Sequence, residues 1–167
     1  VLGWHDRARK HFDAYAASQV THKPQVKQHP AQDPEMNLAR SIKEWGTPQY
    51  SNGYICRNPN RNDQMHHYAM NLCSTDESLW HFNWTGDLAY ARKMWPVLVR
   101  HLDWEKRNFD PDNDGLYDAY ACIWASDALY YNSGAVTHSS AYNYRANKIA
   151  AEIARLIGED PTPYASE

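Results

Sequence analysis

The sequence predicts an all-α fold made of antiparallel helical pairs. Apolar residues recur at helical spacing in several separate stretches, most regularly where Leu88, Ala91, Trp95, Leu98 and Leu102 alternate steps of three and four. The alternation typical of strands is limited to one short extended segment near 117–124. At 167 residues the chain has the length of a single domain, so we expect one unit over 1–167.

The first half of the chain predicts two helices and two long polar connections. A helical stripe runs from Trp4 to Ala16, and residues 21–32 are polar and without period. Asp33-Pro34-Glu35 has the form of a helix start, so a second helix is expected from there to Gly46, with Leu38 and Ala39 on its buried face. The second connection, 47–64, carries Asn-Gly and Asn-Pro turn signals.

The second half predicts three helices. Gly86 and Asp87 are expected to end one helix and cap the next, and this short link favours antiparallel neighbours. Pro96 predicts a kink or a new helix start. Gly158 is expected to end the last helix. The predicted helices cover 66–84, 88–102 and 137–157.

Composition and charge argue against several classes of function. The formal charge is −3 and basic residues are scattered, so the sequence shows no basic patch of the kind that binds nucleic acid. No apolar run reaches the roughly 20 residues that span a bilayer, and VLGWHDRARKHF at the start is not a signal peptide. Three cysteines without CxxC spacing predict neither a disulfide framework nor a zinc site. Isolated histidines such as His81 and His101 are interpreted as packed side chains rather than metal ligands.

Aromatic residues are unusually frequent for so polar a chain. Seven Trp, twelve Tyr and three Phe make up 13% of the residues, yet the mean hydropathy is −0.81. Such rings pack with their faces and form hydrogen bonds at their edges. They suit a polar ligand that has apolar faces, and a carbohydrate is the commonest of those.

An acid-rich stretch, FDPDNDGLYD, separates the last two predicted helices. Asp110, Asp112, Asp114 and Gly115 spell D-x-D-x-D-G, the start of a calcium loop, but the twelfth position is Ala121 rather than Glu. We therefore favour Asx turns, in which the carboxylates cap backbone amides, and expect no cofactor. Calcium binding is the alternative.

Longer runs of the sequence resemble a known superfamily. HFNWTGDLAYARKMWPVLVRHLDWEKRNFDPDNDGLYD, followed by WASD and SAYNYRANKIAAEIARLIGED, is similar to the six-hairpin glycosidases, in the branch of glycoside hydrolase family 63 and the bacterial rhamnosidase-like proteins. The resemblance covers about 81–160 and implies an (α/α)6 toroid. Twelve helices with their connections need on the order of 200 residues. We therefore expect this chain to be the N-terminal half of such a toroid, which associates with itself or with a missing half.

The resemblance also implies a site and a reaction. It makes Asp127 the general acid of an inverting glycoside hydrolysis, whose second carboxylate lies outside this chain. A turn cap is the alternative role for Asp127. It further implies a periplasmic or extracellular location. The expected substrate contacts are Trp124, Asp118, Tyr130, Tyr131, His138 and Arg57.

Three functions are consistent with these observations. The first is a glycoside hydrolase that is completed by further residues. The second is a non-catalytic protein that binds carbohydrate with the same walls. The third is a helical scaffold that binds protein partners through tryptophan-rich faces.

Overall fold

The computed structural model describes about two thirds of the chain. The described residues are 3–23, 32–33, 38–39, 51–55, 59–60, 71–110, 112–118, 121–122, 130–131, 135 and 137–167. The all-α class is confirmed, because helices account for most of these residues. In chain order they are α1 (His5–Ser18), α2 (Asn71–Thr85), α3 (Leu88–Phe109), α4 (Thr137–Ile157) and α5 (Thr162–Ala165). No helix among the described residues is both long and apolar enough to cross a membrane.

Two local signals define the ends of the long helices as expected. The Asp87 carboxylate accepts a hydrogen bond from the backbone N–H of Tyr90 at 2.9 Å and so caps α3. Gly158 takes a φ of +86°, and its N–H and that of Glu159 both donate to the carbonyl oxygen of Ala154. This left-handed turn satisfies the last carbonyl groups of α4.

Pro96 does not divide α3. The helix runs without a break from Leu88 to Phe109, so a new helix start at Pro96 is wrong. Proline removes one backbone hydrogen bond from a helix interior. Eight residues of α3 are buried: Ala91 lies near the start of the helix, and the other seven lie in its second half. Their packing against the rest of the protein outweighs the loss of this hydrogen bond.

The helix α4 organises the core. It packs against both α2 and α3, while α1 packs on α2 and the short α5 folds back on α4. Small residues on α4, such as Ala146 and Ala150, let the neighbouring helices approach closely. The buried cluster consists of Leu79 from α2, Ala91 and Leu102 from α3, and Ala146, Ile149, Ala150 and Ile153 from α4.

A second packed region surrounds Trp104 on α3. Its ring is fully buried and lies 5.4 Å from the ring of Tyr54, which is itself fully buried. Gly53 allows this approach, because a Cβ atom there would collide with the carbonyl oxygen of Arg100. The backbone N–H of Gly53 also donates to the carbonyl oxygen of Val20 at 2.9 Å. The segment 51–55 is thereby fixed on α3.

Two pairs of short strands complete the described chain. The first pair, β1 (Gln32–Asp33) and β2 (Leu38–Ala39), is antiparallel. It contradicts the predicted helix at Leu38 and Ala39, because the helix signal from Pro34 applies equally to a tight turn. The second pair is β3 (Ala121–Cys122) with β4 (Tyr130–Tyr131), and β3 lies in the segment expected to be extended. Continuation of the helices around a toroid stays a prediction.

Candidate functional site

The connection between α3 and α4 contains a two-stranded antiparallel ladder. Cys122 pairs with Tyr130 and Ala121 pairs with Tyr131, while Asp118 forms an isolated bridge with Ala135 closer to the helices. The two ends of the segment 123–129 are therefore held side by side. The base of this ladder lies where α3 ends and α4 begins.

The predicted site residues divide between described and undescribed parts of the chain. Tyr130 and Tyr131 form β4. Asp127, the expected general acid, lies in sequence between β3 and β4 but outside the described residues, as does Trp124. Arg57 is also outside the described residues. The roles expected for these residues stay predictions.

Asp118 and His138 lie at the base of the ladder. The backbone N–H of Asp118 donates to the carbonyl oxygen of Phe109 at 2.6 Å, which joins the ladder to the end of α3. His138 is in the first turn of α4, where its Nε2 lies 3.3 Å from the Ser139 hydroxyl. Burial lowers the pKa of His138, which favours the neutral imidazole. The structure thus places both residues near the same helix ends.

The acid-rich loop brings three carboxylates together. One oxygen each from Asp110, Asp112 and Asp114 lie within 4.8 Å of one another. Asp110 accepts a hydrogen bond from the backbone N–H of Asp114 at 3.0 Å, and Asp114 accepts one from that of Leu116 at 2.8 Å. The expected Asx-type capping is therefore present, and the same turns gather the acidic side chains.

Asp110 differs from the other two acids because it is buried. Only 3% of its surface is exposed, whereas Asp112 and Asp114 face solvent. Its Oδ2 atom is buried and has no hydrogen-bond partner in the described part of the chain. Burial raises the pKa of Asp110, and the nearby carboxylate of Glu167 adds to the rise. A buried carboxylate oxygen without a donor or cation is costly.

Polar residues also fill the helix interface beneath this loop. Glu105 on α3 is 2% exposed, and its Oε1 lies 3.7 Å from Nε2 of the equally buried His101, one helical turn earlier. Asn143 on α4 reaches the other Glu105 oxygen at 3.4 Å. Tyr117 is buried close by, and its hydroxyl donates to Glu167 at 2.8 Å.

Sequence reasoning did not identify Glu105. A charged residue on a long amphipathic helix ordinarily faces solvent, and nothing in the local pattern marks this one as internal. The spacing of four between His101 and Glu105 is the only available signal. His101 itself is packed as expected, stacked 6.0 Å from the ring of Trp104.

Comparison with known proteins gives no family for the chain. None of the protein-family models, curated proteins or solved structures with which it was compared matches it. The similarity to six-hairpin glycosidases therefore stays a prediction from the sequence motifs.

Proposed function

We propose that this chain belongs to a carbohydrate-active protein that hydrolyses a glycosidic bond. The observation that carries the proposal is the pairing of β3 with β4. It brackets the segment containing Asp127 and Trp124 between two joined strands, on a ladder rooted at the ends of two long helices. Functional groups concentrate on such connections when a rigid scaffold positions them.

Asp127 is the proton donor in this proposal. Trp124 and Tyr130 flank it in sequence, and aromatic neighbours that exclude water raise the pKa of a carboxyl group. The protonated acid gives its proton to the leaving glycosidic oxygen as the bond to the anomeric carbon breaks. A second carboxylate, from residues outside this chain, takes a proton from the water that attacks the opposite face. The configuration at the anomeric carbon is then inverted.

The test is Asp127→Asn in the protein that contains this chain, assayed on aryl glycosides with good and poor leaving groups. Removal of an acid is expected to reduce hydrolysis of the poor leaving group by about 100-fold or more, while the good leaving group is nearly unaffected. Glu152→Gln, an exposed carboxylate on α4, is the matched control and is expected to leave both rates unchanged. Equal small losses on both substrates would assign Asp127 to a turn cap. Binding of sugar without hydrolysis by the unaltered protein would instead support the non-catalytic alternative.

We further infer that the acid-rich loop binds Ca²⁺. The buried Oδ2 of Asp110 favours this over capping alone, because that oxygen has no hydrogen-bond partner among the described residues. Asp112 and Asp114 add two oxygen ligands of the kind that calcium prefers. A cation there would compensate the buried charge and hold the base of the ladder through Asp110, which directly follows α3.

A further inference from the structure

A small cavity lies where α2, α3 and α4 meet. It has a volume of about 10 Å³. Its walls include the apolar Leu79 of α2 and Ala146 of α4, and the polar Thr75, His101 and Asn143, which come from α2, α3 and α4 respectively. An internal site needs roughly 10 to 15 Å³ to hold one water molecule. The cavity therefore has the size of a single water molecule and excludes larger ligands.

Two polar side chains in the walls each have an atom without a partner. His101 and Asn143 are both 1% exposed. In the described part of the chain, neither Nδ1 of His101 nor Oδ1 of Asn143 has a hydrogen-bond partner. Buried polar atoms are ordinarily paired with protein groups or with ordered water, because an unpaired one is costly. These atoms point to a polar occupant, independently of the size of the cavity.

Glu105 faces the other polar atom of each side chain. Its Oε1 lies 3.7 Å from Nε2 of His101, and its Oε2 accepts a hydrogen bond from Nδ2 of Asn143 at 3.4 Å. The imidazole ring has one further nitrogen, and the amide has one further polar atom, its oxygen. Nδ1 of His101 and Oδ1 of Asn143 are therefore the atoms that remain for the cavity.

The charge of the cavity walls favours a neutral occupant. Burial lowers the pKa of His101 to about 4, so its ring is neutral near pH 7. Asp76 also lines the cavity, and its carboxylate is paired with Arg145 of α4. Among the described lining residues, no unpaired charge remains that would attract an ion. A water molecule is neutral, and it can donate to one of the two unpaired atoms while it accepts from the other.

We propose that the cavity binds one ordered water molecule, which bridges His101 of α3 and Asn143 of α4. The water donates to Oδ1 of Asn143, since an amide oxygen can only accept. Internal waters make about three hydrogen bonds, and the hydroxyl group of Thr75 on α2 can supply the third. The bound water then joins the three helices that surround the cavity. This inference is independent of the proposed hydrolytic function.

The bridge also assigns the hydrogen on the His101 ring. Burial raises the pKa of Glu105 to about 8, so its carboxyl group is neutral at pH 6.5. Oε2 of Glu105 accepts from the Asn143 amide, so the carboxyl hydrogen lies on Oε1, which faces Nε2 of His101. Nε2 is then the acceptor nitrogen of the ring, and Nδ1 carries the hydrogen and donates to the water. Each member of the network thus meets a complementary group.

Nuclear magnetic resonance of the full chain at pH 6.5 tests for this water directly. Leu79 and Ala146 carry methyl groups in the cavity walls. Ala150 is the matched control, because it is buried one turn further along α4 and does not line the cavity. A long-lived water is expected to give the Leu79 and Ala146 methyl groups NOE and ROE cross peaks of opposite sign, and to give none at Ala150. The ring nitrogens of His101 are expected to show the hydrogen on Nδ1.

Asn143→Leu removes the acceptor and is expected to abolish the water cross peaks at Leu79 and Ala146. If this variant does not fold, the methyl comparison and the His101 ring in the unaltered chain decide. Absence of long-lived water cross peaks at Leu79 and Ala146, or equal peaks at Ala150, would overturn the proposal. A ring hydrogen on Nε2 of His101, or cross peaks that persist unchanged in folded Asn143→Leu, would also overturn it.

Discussion

Glu105 gives a quantitative test of the buried helix interface between α3 and α4. Its carboxyl group is 2% exposed, and the cations nearest to it in sequence are engaged elsewhere. Lys106 pairs with Glu167, and Arg107 pairs with Asp103 and donates to the carbonyl oxygen of Asn52. Among the described residues no lysine or arginine pairs with Glu105, so the buried group is expected to hold its proton at neutral pH.

The size and sign of the change in folding stability with pH follow from the pKa shifts of Glu105 and His101. Burial raises the pKa of Glu105 from 4.5 to about 8, so the folded state loses stability as pH rises through that interval. Burial lowers the pKa of His101 from 6.5 to about 4, so stability is lost as pH falls through that second interval. Between pH 4.5 and 6.5 the two slopes oppose each other. Above pH 6.5, of these two groups, only the ionisation of Glu105 changes the folding stability. The interval from pH 6.5 to its pKa of about 8 is about one and a half pH units, which corresponds to about 2 kcal/mol.

The assay is urea unfolding of the unaltered chain and of Glu105→Gln at pH 6.5 and pH 9. The unaltered chain is expected to lose about 2 kcal/mol more between these pH values than the variant does, since Gln cannot ionise. Taking the difference removes contributions from other groups that titrate in both proteins. The amide can still meet Asn143, which limits the cost of the substitution itself. Identical pH dependence in the two proteins would refute the reasoning, because Glu105 would then not titrate differently in the folded and unfolded states.

Two further predictions concern the acid-rich loop and Gly53, which lies close to the backbone of Arg100. Calcium at 100 times its dissociation constant is expected to add about 2.7 kcal/mol to the free energy of unfolding. The melting temperature should then rise with calcium, fall back with EGTA, and stay unchanged by calcium in Asp112→Asn. A melting temperature that calcium does not change in the unaltered chain would leave the acid-rich loop with only its role as a turn. Gly53→Ala is expected to cost at least about 3 kcal/mol, because a Cβ there collides with backbone at a φ of +101°. Gly86→Ala, at +59° in open space, is expected to cost about 1 kcal/mol. Similar losses in the two variants would contradict the collision.

The sequence by itself determined the elements that depend on neighbouring residues. The last long helix was predicted over 137–157 and is observed there, because its apolar period and Gly158 are both local signals. The cap at Asp87 was predictable for the same reason. A new helix start at Pro96 was wrong because packing outweighs the local signal, and a helix at Leu38 was wrong because the local signal there fits two structures equally. That the chain has a carbohydrate site stays a prediction from motifs, since Asp127 lies outside the described residues.

Tertiary structure alone decided which polar and aromatic side chains are internal. The pattern of α3 gives no reason to bury Glu105, which is buried where Asn143 of α4 approaches it. The acid-rich motif was visible in the sequence, but the burial of Asp110 was not. Tryptophan side chains are highly buried on average, yet Trp80 and Trp84 are 50% and 62% exposed. Burial depends on contacts between segments far apart in the chain, and no local spacing encodes those contacts.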